Sequence, residues 1–565
     1  MNARKKSKPA QSVAIRAARV KAASHRPVPA ATPISVWRQL QTRTFWQSHA
    51  AITVVCLVFF VTAVAMIHAW YNFQLNPDAT SYMTIAQKYA HGDFRHALNG
   101  YWGPLFSWLL VPAVWLNVSL IVAAKGILAL AGTAIIALLY GYLRSKQVSR
   151  LIAVFIGIAV AVLMLPWVTV ESITPDLLMA LWTLILVMTV DRYMNQPSKQ
   201  LGISMGVLGA IMFYTKGFGL FYFIGVVGTV ALCAWYRERA FKPVLMRYLP
   251  IAIMLAILVV PFIGLNTIKY RELTISNAGM YDKRVFGPVA LDAQPIEYAG
   301  PLVPPNDTAI SAWEDPTPLG KMVPDWSILG SKHELKFFVE SVLGRNINRT
   351  LQAVGGFGPL IAFAILTMVL GVLMRSAYRK EFAVLALASS LMVLGYILVL
   401  TQARYLWGLA VLALVSLGLW LTSVRTKQVL NTVQIVAMGI VICSIMLLST
   451  LQNVLQNKYV DRQYYRVAID LRTRLPQHAK LISDNYNQSY YDCFYLHIQC
   501  FSVVAPPAEN TAAYYQHLKK LGITHYIDYH TRDNDANLQS FVSQYFTKID
   551  FRVIDQVPVT TYELN

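Results

Sequence analysis

Long apolar runs recur along this chain, and each leaves the backbone a single way to fold. Two examples are 151-LIAVFIGIAVAVLMLPWVTV-170 and 248-YLPIAIMLAILVVPFIGL-265. A bilayer core takes about 20 residues of helix to cross. In hydrocarbon every backbone N–H and C=O must be bonded within the protein, so such runs become helices. The runs lie near 50–68, 118–142, 151–170, 175–190, 201–215, 217–236, 248–266, 355–374, 382–400, 405–422 and 430–450. The fold class expected is an α-helical polytopic membrane protein of about eleven transmembrane helices. Composition agrees, with 56% hydrophobic and only 14% charged residues, against about a quarter charged in soluble domains.

A net charge of +21 would suit a nucleic-acid partner, but its placement argues against one. Cytoplasmic loops of membrane proteins collect Lys and Arg. The piece 104-PLFSWLLVPAVWL-116 is short and holds Pro112. If it stays on the outer surface, every basic loop faces the cytoplasm: 144–150, 191–200, 236–247, 375–380 and 423–428. Residues 1–49 carry ten Lys or Arg and no acid. This tail and the five loops account for the whole surplus. The tail is expected to be disordered and held at the anionic inner leaflet, with no cleavable signal peptide.

Three expected regions follow: a cytoplasmic polybasic tail at 1–49, a transmembrane domain at 50–450 and a soluble domain at 451–565. Outer loops occupy 69–117 and 267–354. The last region shows strand-like runs at 479–485, 524–529 and 549–555, separated by helical stretches near 463–474, 511–521 and 537–546. That alternation predicts a small extracytoplasmic α/β domain. Cys493 and Cys500 lie in it and suit either a disulfide or two free thiols. Cys56, Cys233 and Cys443 lie in apolar runs and read as core residues.

The candidate chemistry lies at the outer ends of the spans. In 76-NPDATSYMTIAQKYAHGDF-94 an amphipathic helix ends at Gly92. Asp78 and Tyr82 are four apart and share a face. Asp78 suits a helix N-cap after Pro77, or a general base toward a hydroxyl. The turn 171-ESITPDLL-178 brings Glu171 and Asp176 to the same side. Three cations stand where outer segments should lack them: Lys125 inside the second span, Lys216 in 214-YTKGFGL-220 and Arg404 in 401-TQARYLWG-408. A cation at the hydrocarbon edge is costly and marks either function or snorkelling to headgroups. A phosphate at the membrane surface would satisfy all three.

These residues resemble the GT-C fold membrane glycosyltransferases, in particular the protein O-mannosyltransferase and aminoarabinose-transferase branch. The likeness rests on Asp78, Tyr82, Ala86, Gly92 and 101-YWGPLFSWLL-110, then on 174-TPDLL-178, Lys125, Lys216–Gly217 and Arg404–Tyr405. It spans about residues 50–425. Trp102-Gly103-Pro104 replaces the family's basic residue before a double proline, and 267–354 lacks a familiar stretch. Sugar and acceptor stay open for that reason.

The resemblance implies an inverting sugar transfer from a polyprenyl-phosphate donor to a hydroxyl of a glycan, lipid or protein. Asp78 would take the proton. Lys216 and Arg404, with Lys125, would hold the phosphate, and Tyr405 and Tyr82 would line the site. Asp176 and Glu171 would orient acceptor or sugar. Some relatives bind a divalent metal; here only the scattered His91 and His96 flank the first loop. The charge placement implies a cytoplasmic N-terminus and an outer C-terminal domain; the resemblance implies a bacterial inner membrane, with that periplasmic domain shaping the acceptor site. A lipid or sugar transporter, or a flippase, is the alternative. It would share the spans but place its ionisable groups near the bilayer midplane. A non-catalytic scaffold would keep the fold alone.

Overall fold

Backbone self-sufficiency in lipid shows directly in the computed structural model, which describes residues 43–565 except 291–292 and 374–375. Among these, nine helices are long and apolar enough to cross a membrane: His49–Trp70, Leu120–Ser145, Arg150–Thr169, Asp176–Asn195, Phe218–Glu238, Phe241–Tyr270, Arg379–Ile397, Ala403–Thr426 and Val433–Gln456. Most of the 1–49 tail lies outside the described residues. Burial ranks the spans. The apolar window of Ala403–Thr426 is 89% buried, and that of Phe241–Tyr270 is 11% buried. The first is the centre of the bundle. The second presents Ile253, Ile257 and Val260 outward, a surface that suits lipid and would be a liability in water.

The other two expected spans differ from a plain crossing. The run at 355–374 is the second arm of a helix pair, Lys332–Gly356 and Pro359–Leu373, bent by 112°. Gly358, with φ +91, lies at the bend. The run at 201–215 forms the 17-residue helix Lys199–Thr215, about 25 Å long at 1.5 Å per residue. The short piece near 104–116 forms the helix Pro104–Trp115. It packs against the helix Pro77–Ala90. There Tyr82 meets Trp102 at 5.2 Å and Phe106 at 5.4 Å between ring centroids. The Ser107 hydroxyl donates to the Tyr82 carbonyl at 2.8 Å.

After the last span the chain builds a five-stranded sheet in the order β2-β1-β3-β5-β4. The strands are β1 Lys480–Ser483, β2 Gln499–Val503, β3 His525–Asp528, β4 Phe546–Ile554 and β5 Val557–Leu564. β1 pairs in parallel with β2 and β3, while β5 runs antiparallel to β3 and β4. Ile482, Phe501, Leu518, Tyr526, Leu538 and Phe541 fill its core. The three strand runs expected from sequence are β1, β3 and β4. β2 and β5 lie outside the expected strand runs; β5 carries Pro558, which argues against a strand in sequence. Cys493 and Cys500 are disulfide-bonded, joining the helix Tyr486–Leu496 to β2.

This sheet is tied to the helical part through two loops. The Tyr495 hydroxyl donates to the Phe73 carbonyl at 3.0 Å, and Ser81 and Tyr490 share a hydrogen bond of 3.1 Å. Along β2, the Cys500 N–H donates to the Ile310 carbonyl at 2.7 Å, and the Leu302 N–H to the Phe501 carbonyl at 3.0 Å. Lys88 and Glu314, with side chains 4% and 2% exposed, form a buried ion pair between the first loop and the 267–354 loop. Asn306 accepts a further bond from Lys88 at 3.0 Å. Removing one member strands a buried charge, which costs about 3–5 kcal/mol. Lys88→Met therefore lowers the thermal midpoint of the detergent-purified protein, and Lys88→Met with Glu314→Met recovers most of the loss. A midpoint unchanged in the single variant contradicts this role.

Candidate functional site

Two loops must meet before the candidate residues can act together, and side chains just upstream bring them together. Asn76 is the N-cap of the Pro77–Ala90 helix. Its Oδ1 does not cap that helix. It accepts from the Ile173 N–H at 2.9 Å, in the turn that carries Asp176. Gln74 donates to the Val170 carbonyl in the same turn. Asp78 thus sits in the first turn of one helix, and Asp176 begins the span Asp176–Asn195. The N-cap reading of Asp78 does not hold, because Asn76 occupies that position.

The four ionic groups form one chain. Lys216 Nζ lies 2.6 Å from Asp176 Oδ1. Arg404 Nε lies 3.7 Å from Asp176 Oδ2, and its Nη2 lies 2.9 Å from Asp78 Oδ2. Thr174 donates to Asp176 Oδ2 at 2.7 Å, and Gln402 accepts from Arg404 Nε at 2.8 Å. The Lys216 ammonium sits 3.9 Å over the Tyr405 ring, a cation–π contact. Asp78, Tyr82, Asp176, Lys216, Arg404 and Tyr405 all line one cavity of about 400 Å³.

Close backbone approach explains two sequence features here. A Cβ on Gly217 would come within 2.3 Å of Ser276 Oγ, and one on Gly103 within 2.5 Å of the Thr215 and Tyr214 carbonyl oxygens. Gly103 is thus needed in the Trp102-Gly103-Pro104 departure.

Two candidates lie apart. Glu171 lines a neighbouring cavity of about 750 Å³, with Trp167, Arg349, Ile445 and Met446. The two cavities share Phe286, Leu400, Gln402 and Arg404 in their walls. The smaller one holds the convergent charges, so it is the better candidate for chemistry despite its size. Lys125 is fully buried and lines neither cavity. It donates to Gln74 Oε1 and to the Thr169 carbonyl. Its place is that of a strut under the loop–turn contact.

The 267–354 loop contributes residues that sequence reasoning did not single out. Tyr281, Asp282, Phe286, Gln294 and Trp313 line the smaller cavity. Asp282 sits in the helix Ala278–Val285, a stretch with no motif to mark it. Burial pushes its carboxyl up to about 7. Lys216 opposes the shift, Asp78 adds to it and Arg404 opposes it.

The donor set suits a divalent metal poorly. Arg404 stands between Asp78 and Asp176, and each carboxylate is already matched by a cation. His91 bonds the Gln87 carbonyl at 2.7 Å and His96 bonds Asp93 at 2.9 Å; neither lines the cavity. One cluster with metal-ligand spacing occurs among the described residues, Asp528, His530 and Asp533 after β3. His530 already bonds Asp533 at 3.1 Å and Thr560 at 2.9 Å.

No protein-family model matches the chain, and no curated protein sequence does either. Solved structures share its fold. A crystal structure of ArnT from Cupriavidus metallidurans bound to undecaprenyl phosphate has a TM-score of 0.55 and 13% identity. The match covers 92% of this chain and 98% of that one. The archaeal oligosaccharyltransferase AglB from Archaeoglobus fulgidus, in complex with an inhibitory peptide and a dolichol-phosphate, has a TM-score of 0.53 and 12% identity. That match covers 92% of this chain and 75% of that one. The fold is therefore the GT-C fold that the sequence resembled.

The raised Asp282 carboxyl can be read directly. Below about pH 7 it holds a proton, and above it carries charge beside Asp78, Asp176, Lys216, Arg404 and the phenols of Tyr101, Tyr281 and Tyr405. Infrared difference spectra are expected to show a protonated carboxyl band that disappears through about pH 7 and is missing from Asp282→Asn. A carboxyl already ionised at about pH 5 contradicts the assignment.

Proposed function

We propose that this protein transfers a sugar from a polyprenyl-phosphate carrier to an acceptor hydroxyl, at the extracytoplasmic face of the membrane. The observation that carries this reading is the chain Lys216–Asp176–Arg404–Asp78 in a cavity at the ends of the spans. The fold supports it. ArnT is named as bound to undecaprenyl phosphate and AglB to a dolichol-phosphate.

In this reading the acceptor oxygen attacks the anomeric carbon and the bond from that carbon to the phosphate oxygen breaks. The acceptor proton passes to Asp78, whose Oδ1 accepts no hydrogen bond among the described residues. Attack opposite the leaving group inverts the anomeric centre. The donor phosphate is a diester with one charge, and it leaves as a monoester with one more. Fixed cations at Lys216 and Arg404 stabilise that developing charge. The incoming phosphate competes with Asp78 for Arg404, which frees the carboxylate to act as base. Asp176 holds both cations in place. The larger cavity, lined by Leu163, Trp167, Ile445 and Met446, gives an isoprenoid chain an apolar route to Arg404. Glu171, in the same wall, suits the acceptor.

The orientation belongs to the same reading. The basic loops face a bacterial cytoplasm and the sheet faces the periplasm, where the Cys493–Cys500 disulfide is at home. A transporter would put its ionisable groups near mid-span. Here Asp176 opens its span, Lys216 lies between two helices and Arg404 is in the first turn of another.

Asp78→Asn is expected to lower turnover by purified protein about 10²–10⁴-fold while donor binding persists; normal turnover would sink the base assignment. Lys216→Ala and Arg404→Ala are each expected to weaken binding of a polyprenyl phosphate about tenfold or more. Calorimetry that finds both unchanged rules out the phosphate role.

A further inference from the structure

The smaller cavity has a second set of residues that takes no part in the charge chain. Tyr101 and Trp102 come from the first loop, and Tyr281 and Trp313 from the 267–354 loop. Their rings touch one another. Tyr101 lies 5.5 Å from Tyr281 and 5.9 Å from Trp313, Trp102 lies 5.9 Å from Trp313, and Tyr281 lies 5.6 Å from Trp313. Hydrogen bonds fix the cluster. Trp102 Nε1 donates to the Trp313 carbonyl at 3.2 Å, and Asn99 Oδ1 accepts from the Tyr101 and Trp102 N–H groups at 2.8 and 3.0 Å. Asn99 Nδ2 in turn donates to the Glu314 carbonyl at 2.7 Å, and the Tyr281 hydroxyl donates to Gln294 at 2.5 Å.

Two polar groups in this cup are left over. Trp313 is 8% exposed, and its indole N–H has no acceptor among the described residues. Other loop tryptophans are satisfied, Trp102 as above and Trp326 by the Lys283 carbonyl at 2.6 Å. A buried donor without a partner costs about 1–3 kcal/mol. The Asp282 carboxylate, in the same wall, has no hydrogen bond or ion pair with any described residue. Rigid aromatic walls bearing two unspent polar groups suit a ring with C–H faces and hydroxyl edges.

We propose that Tyr101, Trp102, Tyr281, Asp282 and Trp313 form the subsite for the sugar ring of the donor, in which Asp282 and the Trp313 indole N–H bond its hydroxyls. This rests on the polyprenyl-phosphate reading above and adds to it where selectivity resides. The phosphate is held by residues at the ends of the spans, and the sugar is selected by two loops. A site built to bond a hydroxyl strongly rejects a ligand lacking it, because its own polar groups are then left unpaired. A carboxyl that holds its proton to about pH 7 also adds little repulsion to the neighbouring phosphate.

The test measures binding to the full-length protein in nanodiscs at about pH 6, where Asp282 is largely neutral. The probes are methyl farnesyl phosphate and the glucosyl, mannosyl, galactosyl and arabinosyl farnesyl phosphates. All are phosphodiesters of one charge, so only the sugar differs. At least one sugar ester is expected to bind about tenfold or more tighter than the methyl ester. Asp282→Ala and Trp313→Phe should each lose about tenfold of that preference, with methyl-ester affinity within about twofold of the unaltered protein. Asp282→Asn should restore most of it. A preference that survives in both variants overturns the subsite, as does an unaltered protein that binds all five probes alike. A variant that loses sugar and methyl esters equally also counts against it, since the residue then serves the fold. If the unaltered protein binds the sugar esters but Lys216→Ala changes nothing, the phosphate reading fails while the sugar subsite stands. If it binds none of the five, both fail.

Discussion

Charge neutrality at the edge of an apolar bundle is the constraint on which the rest of this structure depends. Four ionic side chains meet at the ends of separate helices, and none could sit there alone. A lone cation or carboxylate beside hydrocarbon costs several kcal/mol. Linked as Lys216–Asp176–Arg404–Asp78 they balance, with Tyr405 under the Lys216 ammonium. The balance is local, and it leaves Arg404 shared between two carboxylates. A shared cation is one that an incoming anion can claim.

The supports around this chain have different work. Lys125, Gln74 and Asn76 hold the first loop against the 170–176 turn, which sets the spacing of Asp78 and Asp176. Above them the 267–354 loop is fixed twice, by the buried Lys88–Glu314 pair and by backbone bonds along β2. The C-terminal sheet thus steadies the loop that closes the cavity. This gives the sheet a structural reason to be present, separate from any contact of its own with an acceptor.

Much of the site was legible because cations in unexpected places are informative. Lys216 and Arg404 stood out against the charge asymmetry of the loops, and both line the cavity. Lys125 stood out by the same signal, yet it faces Gln74 and Thr169. A sequence gives the depth of a cation along a span but not its direction around the helix. Asp282 and Trp313 gave no signal. They lie in a Pro-rich loop with neither periodicity nor motif, and only the fold places them in the cavity wall.

The sequence by itself determined the class of fold, the approximate positions of the apolar helices, and the residue types at their ends. These follow from windows of about 20 residues and the rule that backbone must bond itself in lipid. Only the tertiary structure decided which charges meet. Asp78 and Arg404 are 326 residues apart in sequence, and no local pattern encodes that pair. It also decided that 355–374 turns through 112° from the helix before it, and that four aromatic rings from two loops share one wall. Contacts of that kind depend on how helices and loops pack across the whole chain. For the same reason the fold is recognisable in structures that share only 12–13% identity.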